Sequence, residues 1–171
     1  MIANVEVQDR DKMEGNPLYL QIVCYTFLIN PKTKKIFIAK RISGDERLQD
    51  KYCIAFGGHV NTDDLQPLFY NPIVNSARRE LREELTIRNK TIDLKHIGYV
   101  RDLNSDTSEH IGVVFYMTTG SASIKEKDSL EGKWVTYDEL KFNYYHLLES
   151  WSKAILDYIY NNQYFRRVFN F

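Results

Sequence analysis

Apolar and polar positions along the 171-residue chain alternate between two periods. Residues 18–29 are almost continuously β-branched, aromatic or aliphatic, which predicts a buried strand. Asn30-Pro31-Lys32-Thr33 supplies turn chemistry, and Lys35–Arg41 returns as a second strand, so the two predict a hairpin. Residues 52–56 form a short apolar strand running into Gly57-Gly58, a pair that permits positive φ and close backbone approach. Asn71-Pro72 opens a helix, with Asn as N-cap and Pro in the first helical position. It runs to about Leu85, with Val74, Ala77, Leu81 and Leu85 as its apolar stripe.

Residues 92–103 and 110–119 predict two further strands joined by the polar stretch 104–109. Residues 125–132 are charged and loop-like, and Lys133-Trp134-Val135 is a short strand. Thr136 with Glu139 matches a capping box. From His146 to Tyr160, Leu147, Leu148, Trp151, Ile155, Leu156 and Ile159 recur at helical spacing, so a long C-terminal helix over 146–162 is expected. Residues 59–70 show no period and predict an ordered loop. Residues 1–17 predict an arm or an added edge strand built on Ile2, Val5 and Val7. Strands interleaved with a central and a C-terminal helix indicate an α/β sandwich.

The length suits one domain over 1–171. Lys plus Arg and Asp plus Glu number 23 each, so net charge gives no reason to expect duplex nucleic acid or an anionic membrane as partner. No apolar run reaches the length of a membrane span, and residues 1–6 lack the pattern of a signal peptide. A cytoplasmic protein is the simplest expectation. Cys24 and Cys53 lie in strand-like runs and read as buried reduced thiols. His96, His110 and His146 lack metal-ligand spacing, and neither a Gly-x-Ser-x-Gly elbow nor a P-loop is present. The aromatic C-terminus from Tyr164 to Phe171 is expected to pack on its own domain or on a second subunit of a homodimer.

Chemistry concentrates at Arg79-Glu80-Leu81-Arg82-Glu83-Glu84. With about 100° of rotation per residue, Glu80, Glu83 and Glu84 share one arc beside the apolar stripe, and like charges at this spacing repel. Either solvent or a divalent cation offsets that repulsion. Mg²⁺ favours octahedral oxygen ligation by a few carboxylates, with sites left for water and phosphate, which such a face supplies.

Gly58, followed by a helix carrying Arg-Glu-Leu-x-Glu-Glu and Ile87, resembles the Nudix (MutT-like) hydrolases, whose box reads Gly-x5-Glu-x7-Arg-Glu-U-x-Glu-Glu-x-Gly-U, with U a bulky aliphatic. The hairpin ending in Ala39-Lys40-Arg41, the strand into Gly57-Gly58 and the late Trp134 extend the likeness over about 18–156. Two departures stand out. The interval from Gly58 to Arg79 is seven residues longer than the box, so its first glutamate falls at Asp64 counted forward or at Asn71 counted back. Thr86 replaces the final glycine.

The resemblance implies an α/β/α sandwich around a central mixed sheet and hydrolysis of a diphosphate linkage in a nucleoside diphosphate linked to another group. It implies Mg²⁺, with Mn²⁺ as an alternative, on Glu80, Glu83 and Glu84. Glu83 would also orient water, with Arg79 as a buttress. Arg41, Gly57, Gly58 and His59 are candidates for substrate contact. The general base is open among the box helix and Glu109, Glu126 and Glu131, which read as loop carboxylates; Glu131 is carried as the candidate. The competing expectation is a Nudix-fold ligand sensor or interaction module without turnover.

Overall fold

Residues 24–30 are buried in unbroken succession, the mark of a central strand covered on both faces. The computed structural model, which describes residues 6, 8–43, 49–65, 71–103 and 109–170, places that strand at the centre of a mixed sheet. In chain order the elements begin with α1 (Arg10–Met13), β1 (Gln21–Asn30), β2 (Lys35–Arg41), β3 (Tyr52–Cys53) and β4 (Ala55–Phe56). A 3₁₀ turn at Thr62–Asp64 precedes α2 (Pro72–Glu84), β5 (Leu85–Ile87), β6 (Lys95–Val100) and β7 (His110–Thr118). The chain closes with β8 (Ala122–Ile124), β9 (Leu130–Thr136), α3 (Tyr137–Glu139), α4 (Ser150–Asn161) and α5 (Gln163–Phe169).

The main sheet runs β3-β2-β1-β7-β6, with β4 also on β1 and β9 also on β2, while β5 and β8 form a separate ribbon. β1 and β2 form the expected antiparallel hairpin. β1 and β7 run parallel from Gln21 opposite His110 to Ile29 opposite Thr118. One sheet face, with Tyr25, Phe27, Ile36 and Ile38, packs under Ile155 and Leu156 of α4 and Phe165 of α5. On the other face Leu28, Phe37 and Phe56 meet Leu81 and Leu85 at the end of α2. Cys24, Val113 and Phe115 pack on Ala77. The architecture is thus a mixed sheet between helices, an α/β sandwich.

Several expected boundaries shift. The strand over 52–56 is broken at Ile54, and its halves pair with different neighbours, β3 with β2 and β4 with β1. The strand over 92–103 is confined to β6. The charged run 125–132 hides a strand end, because β9 begins at Leu130, and β8 lies just before the run. The C-terminal helix starts at Ser150 rather than 146. A π turn over Leu140–Tyr144 and a 3₁₀ turn over Tyr145–Leu147 precede it, and Leu148 is extended in a bridge to Tyr52. Leu148 is therefore buried beside a strand, and Leu147 lies in the 3₁₀ turn, not in the long helix.

Asn162 then ends α4 and caps α5, its side chain accepting from the amides of Tyr164 and Phe165. Near the N-terminus the chain makes the short helix α1, whereas Ile2, Val5 and Val7 lie outside the described residues, as do residues 44–48, 66–70 and 104–108 and Phe171. Cys24 and Cys53 are both buried free thiols. Among the described residues no helix is long and apolar enough to cross a membrane.

The aromatic C-terminus packs on its own domain: Phe165 is 1% exposed, with ring centroids 5.6 Å from Phe27 and 5.1 Å from Tyr116. Phe165→Ala should lower the unfolding free energy by about 3–5 kcal/mol, measured by urea titration. A loss below about 1 kcal/mol would mean that this ring is not part of the core.

Candidate functional site

Arg79 projects from the third turn of α2 and is held on every side. Its Nε and Nη2 each lie 3.0 Å from the two oxygens of Asp64. Nη1 donates to Glu80 at 2.7 Å and Glu83 at 3.0 Å. Nη2 also donates to the His59 carbonyl at 3.0 Å and to Ser76 Oγ at 3.3 Å. A guanidinium has five N–H donors in a planar fork, and these contacts engage both its flat edge and its tip. Burial opposes the charge, but the Asp64 hydrogen bonds raise the Arg79 pKa further above its ordinary value.

Asp64 resolves the irregular spacing. Its side chain is buried and accepts from the Asn61 amide at 2.9 Å, while Asn61 Oδ1 accepts from Asp63, closing a capping box around the 3₁₀ turn. Burial alone would raise the Asp64 pKa; the Arg79 hydrogen bonds hold it below the usual carboxylate range. Asn71, the other candidate for the first box position, caps α2 instead, accepting from Ile73 and Val74. The seven additional residues therefore fall between Asp64 and the helix. Asp64 stands where the box has glutamate, and it bridges loop and helix.

The glycine corner lies against this helix. Gly57 has φ +151°, and a Cβ there would come within 1.8 Å of the Cys24 carbonyl oxygen. A Cβ on Gly58 would meet the Glu80 carboxylate at 2.6 Å. The first glycine lets the chain run close alongside β1; the second leaves room for an acidic side chain. The Gly58 carbonyl accepts from the Cys24 amide at 2.9 Å, so it is committed to the sheet, while the Gly57 backbone hydrogen-bonds Glu84.

Glu80 and Glu84, one turn apart, both face this corner. Burial raises the Glu80 pKa, with Arg79 opposing. Burial, then the charge of Glu80, pushes Glu84 up to about 8, with Arg41 opposing. Glu83 is different: its side chain is 54% exposed and bonded to Arg79. Among the described residues no three His, Cys, Asp or Glu side chains gather as one metal cluster: Glu80 and Glu83 are both paired with Arg79, and Glu84 lies one turn from Glu80. Two half-buried, mutually repelling carboxylates on an all-oxygen face are nonetheless a donor set suited to a hard divalent cation.

The remaining candidates separate. Arg41 ends β2 and pairs through Nε with Glu149 Oε1 at 2.8 Å, a partner that the sequence did not signal. His59 Nε2 lies 3.0 Å from His110 Nε2, joining two histidines that are 51 positions apart in the chain; the Nδ1 of His110 is buried without a partner among the described residues. Glu131 is not a loop residue: it lies in β9 opposite Lys40 and is exposed. It is absent from the principal charges acting on Glu84, which include Glu126. Glu126 sits in the β8–β9 loop, docked to the end of α2 by the Lys125 amide on the Glu84 carbonyl at 2.8 Å. Glu109 instead accepts from the Gly15 amide at 2.7 Å, tying down the N-terminal segment.

Comparison with known proteins places this arrangement. No family model matches the sequence. Protein YmaB of Bacillus subtilis (strain 168) is 28% identical over 169 residues, 92% of this chain and 81% of that protein. Among solved structures, Tm1382, named as a candidate Nudix hydrolase, superposes with a TM-score of 0.73 at 24% identity, covering 90% of this chain and 78% of that one. The MutT Nudix hydrolase of Burkholderia pseudomallei gives a TM-score of 0.58 at 17% identity, over 80% of this chain and 95% of that one. A bifunctional NMN adenylyltransferase/ADP ribose pyrophosphatase from Francisella tularensis, complexed with AMP and a Mn ion, gives 0.62 at 17% identity, over 83% of this chain and 41% of that one. The chain has the Nudix fold.

Two measurements test the site's architecture. Asp64→Ala strands a partly buried guanidinium and should cost about 3 kcal/mol of stability, with Asp64→Glu losing less; equal, sub-kcal losses in both would show that the Arg79–Asp64 bridge carries little. For Glu84 the folded pKa lies above the ordinary value of 4.5, at about 8. The folded state therefore binds the extra proton across that window, and stability falls as pH rises through it. Metal-free protein should lose melting temperature between these pH values, and Glu84→Gln should flatten the loss. An unchanged pH slope in that variant would remove Glu84 as its source.

Proposed function

We propose that the protein is a divalent-metal-dependent hydrolase that cleaves a phosphoanhydride in a nucleoside diphosphate linked to another group. The observation that carries this reading is the half-buried Glu80–Glu84 pair beside Gly57-Gly58, with Glu80 fixed by Arg79. Burial disfavours the charge on both carboxylates, Arg79 offsets it for Glu80, and Glu84 is pushed up to about 8, a cost that a solvated surface helix would not carry. The fold shared with Nudix hydrolases, one of them named an ADP ribose pyrophosphatase, supports the same reading.

Glu80 and Glu84 would hold Mg²⁺ or Mn²⁺, which when bound neutralises phosphate charge and acidifies a coordinated water. Glu83, at the exposed end of the Arg79 fork, orients water or accepts its proton. Glu126, whose charge acts on Glu84, is the better-placed loop carboxylate for a second base, and the role first assigned to Glu131 passes to it. Arg79 fixes the helix to the loop through Asp64 and does not touch substrate. Arg41, the Gly57-Gly58 backbone and His59 border the space a diphosphate would take.

The experiment is turnover of ADP-ribose, nucleotide sugars, dinucleoside polyphosphates and nucleoside triphosphates with Mg²⁺ or Mn²⁺, following release of phosphate-containing products. Chelation should abolish turnover. Glu84→Gln should lower kcat/KM by at least about a hundredfold, and Glu83→Gln should lower kcat more than it changes KM. Absence of turnover on every substrate, with ligand binding indifferent to metal, would establish a binding module in place of an enzyme.

A further inference from the structure

Glu149 occupies the N-cap of α4 with the extended backbone usual there, φ −58° and ψ 155°, yet its side chain makes no capping hydrogen bond. Asp, Asn, Ser and Thr are the usual residues here, because their short side chains fold back onto the helix amides. The longer glutamate reaches away instead. One oxygen takes Arg41 Nε at 2.8 Å and the other takes the Tyr25 hydroxyl at 3.3 Å. Tyr25 Oη is also 3.3 Å from Ser152 Oγ, which accepts the Ile54 amide at 3.1 Å. The Glu149 amide donates to the Tyr52 carbonyl at 3.0 Å. This polar seam joins the first turn of α4 to the break between β3 and β4, just before the glycine corner.

The seam reaches toward the acidic helix. Arg41 is among the strongest charges acting on Glu84. The buried Cys53 thiol is pushed up first by burial and then by Glu149, with Arg41 opposing and Glu84 adding to it. The Glu149 side chain is 12% exposed and that of Arg41 is 35% exposed. The anchor is thus the more buried member, and the cation lies nearer to solvent. A guanidinium bonded through Nε keeps its two terminal NH₂ groups for a second partner, and paired terminal N–H groups suit a phosphate. Without its anchor, an arginine at a strand end samples many rotamers, and ordering it would weaken any anion it binds.

We infer that Glu149 is a positioning residue: it holds the Arg41 guanidinium so that its terminal NH₂ groups face a diphosphate bound at Glu80 and Glu84. The inference rests on the phosphate site proposed above. It makes the C-terminal helix, which lies across the sheet from the acidic helix, part of that site.

The test is calorimetric titration of the full chain with methylenediphosphonate in saturating Mg²⁺. Arg41→Ala should weaken binding about tenfold, the loss of one charge-assisted interaction. Glu149→Ala should weaken it about fivefold with Arg41 still present, and the double variant should bind no worse than Arg41→Ala alone, because Glu149 acts only through Arg41. Glu149→Gln keeps an oxygen for Nε and should stay within about twofold of the parent, a rescue that a merely electrostatic or structural role would not give. Where Glu149→Ala does not fold, Glu149→Asp, one methylene short of Arg41, carries the same comparison. Losses that add in the double variant, an unchanged affinity without Glu149, or a parent that does not bind the diphosphonate each overturn the inference. Turnover stands apart: a parent that hydrolyses substrate without this coupling keeps the hydrolase reading and loses the inference. Coupling without turnover of any substrate does the reverse.

Discussion

One guanidinium sets the geometry of the glycine-corner end of the molecule. Arg79 ties a loop carboxylate, a loop carbonyl, a helix hydroxyl and two helix carboxylates to a single planar group. Because that plane is rigid, the position of His59 and the Glu80 rotamer cannot vary independently. Lysine could supply the charge but not the fork. The constraint also explains how an added stretch between Asp64 and α2 is tolerated. The stretch lies outside the span from Gly58 to Asp64, where the chain must meet the arginine, and the entropy of closing a connection grows only slowly with its length.

The two sheet faces divide the work. α2 brings Leu81 and Leu85 to one face and leaves its carboxylates at the rim. α4 and α5 close the other face with Ile155, Leu156 and Phe165, and the start of α4 reaches the rim through Glu149. The strand break at Ile54 lets both meet there. β3 pairs with the end of β2 beside Arg41, β4 pairs with β1 and leads into the glycines, and the Ile54 amide between them donates to Ser152 Oγ.

Much of this was legible in the sequence. The acidic helix, its Asn71 cap, the hairpin and the Thr136 capping box are local patterns set by a few adjacent residues, and they stand where the pattern put them. What escaped depends on distant residues. Both Asp64 and Asn71 satisfied the spacing, and only the fold shows Asp64 on Arg79. Leu148 fits a helical stripe because a residue buried beside Tyr52 cannot be told from a helical one over so short a run. The Glu149–Arg41 pair spans 108 positions and the His59–His110 contact spans 51, with no periodicity to announce either. Glu131 read as loop because two glycine-flanked charges obscure a strand that packs through Leu130 and Val135.

The parallel pairing of β1 with β7 carries a consequence for how the chain reaches this state. Gln21 must find His110 across nearly ninety intervening residues, whereas the β1–β2 hairpin, with Ile29 opposite Ile36 and Asn30 opposite Lys35, closes over the four residues 31–34 almost at once. Long-range pairing of that kind delays folding, since the entropy of closing the loop is lost before any contact rewards it. The hairpin and α2 are therefore the natural early structures. His59 meets His110, and α4 gains a sheet wide enough to cover, only after β7 has docked, so the order of assembly places the completed rim last.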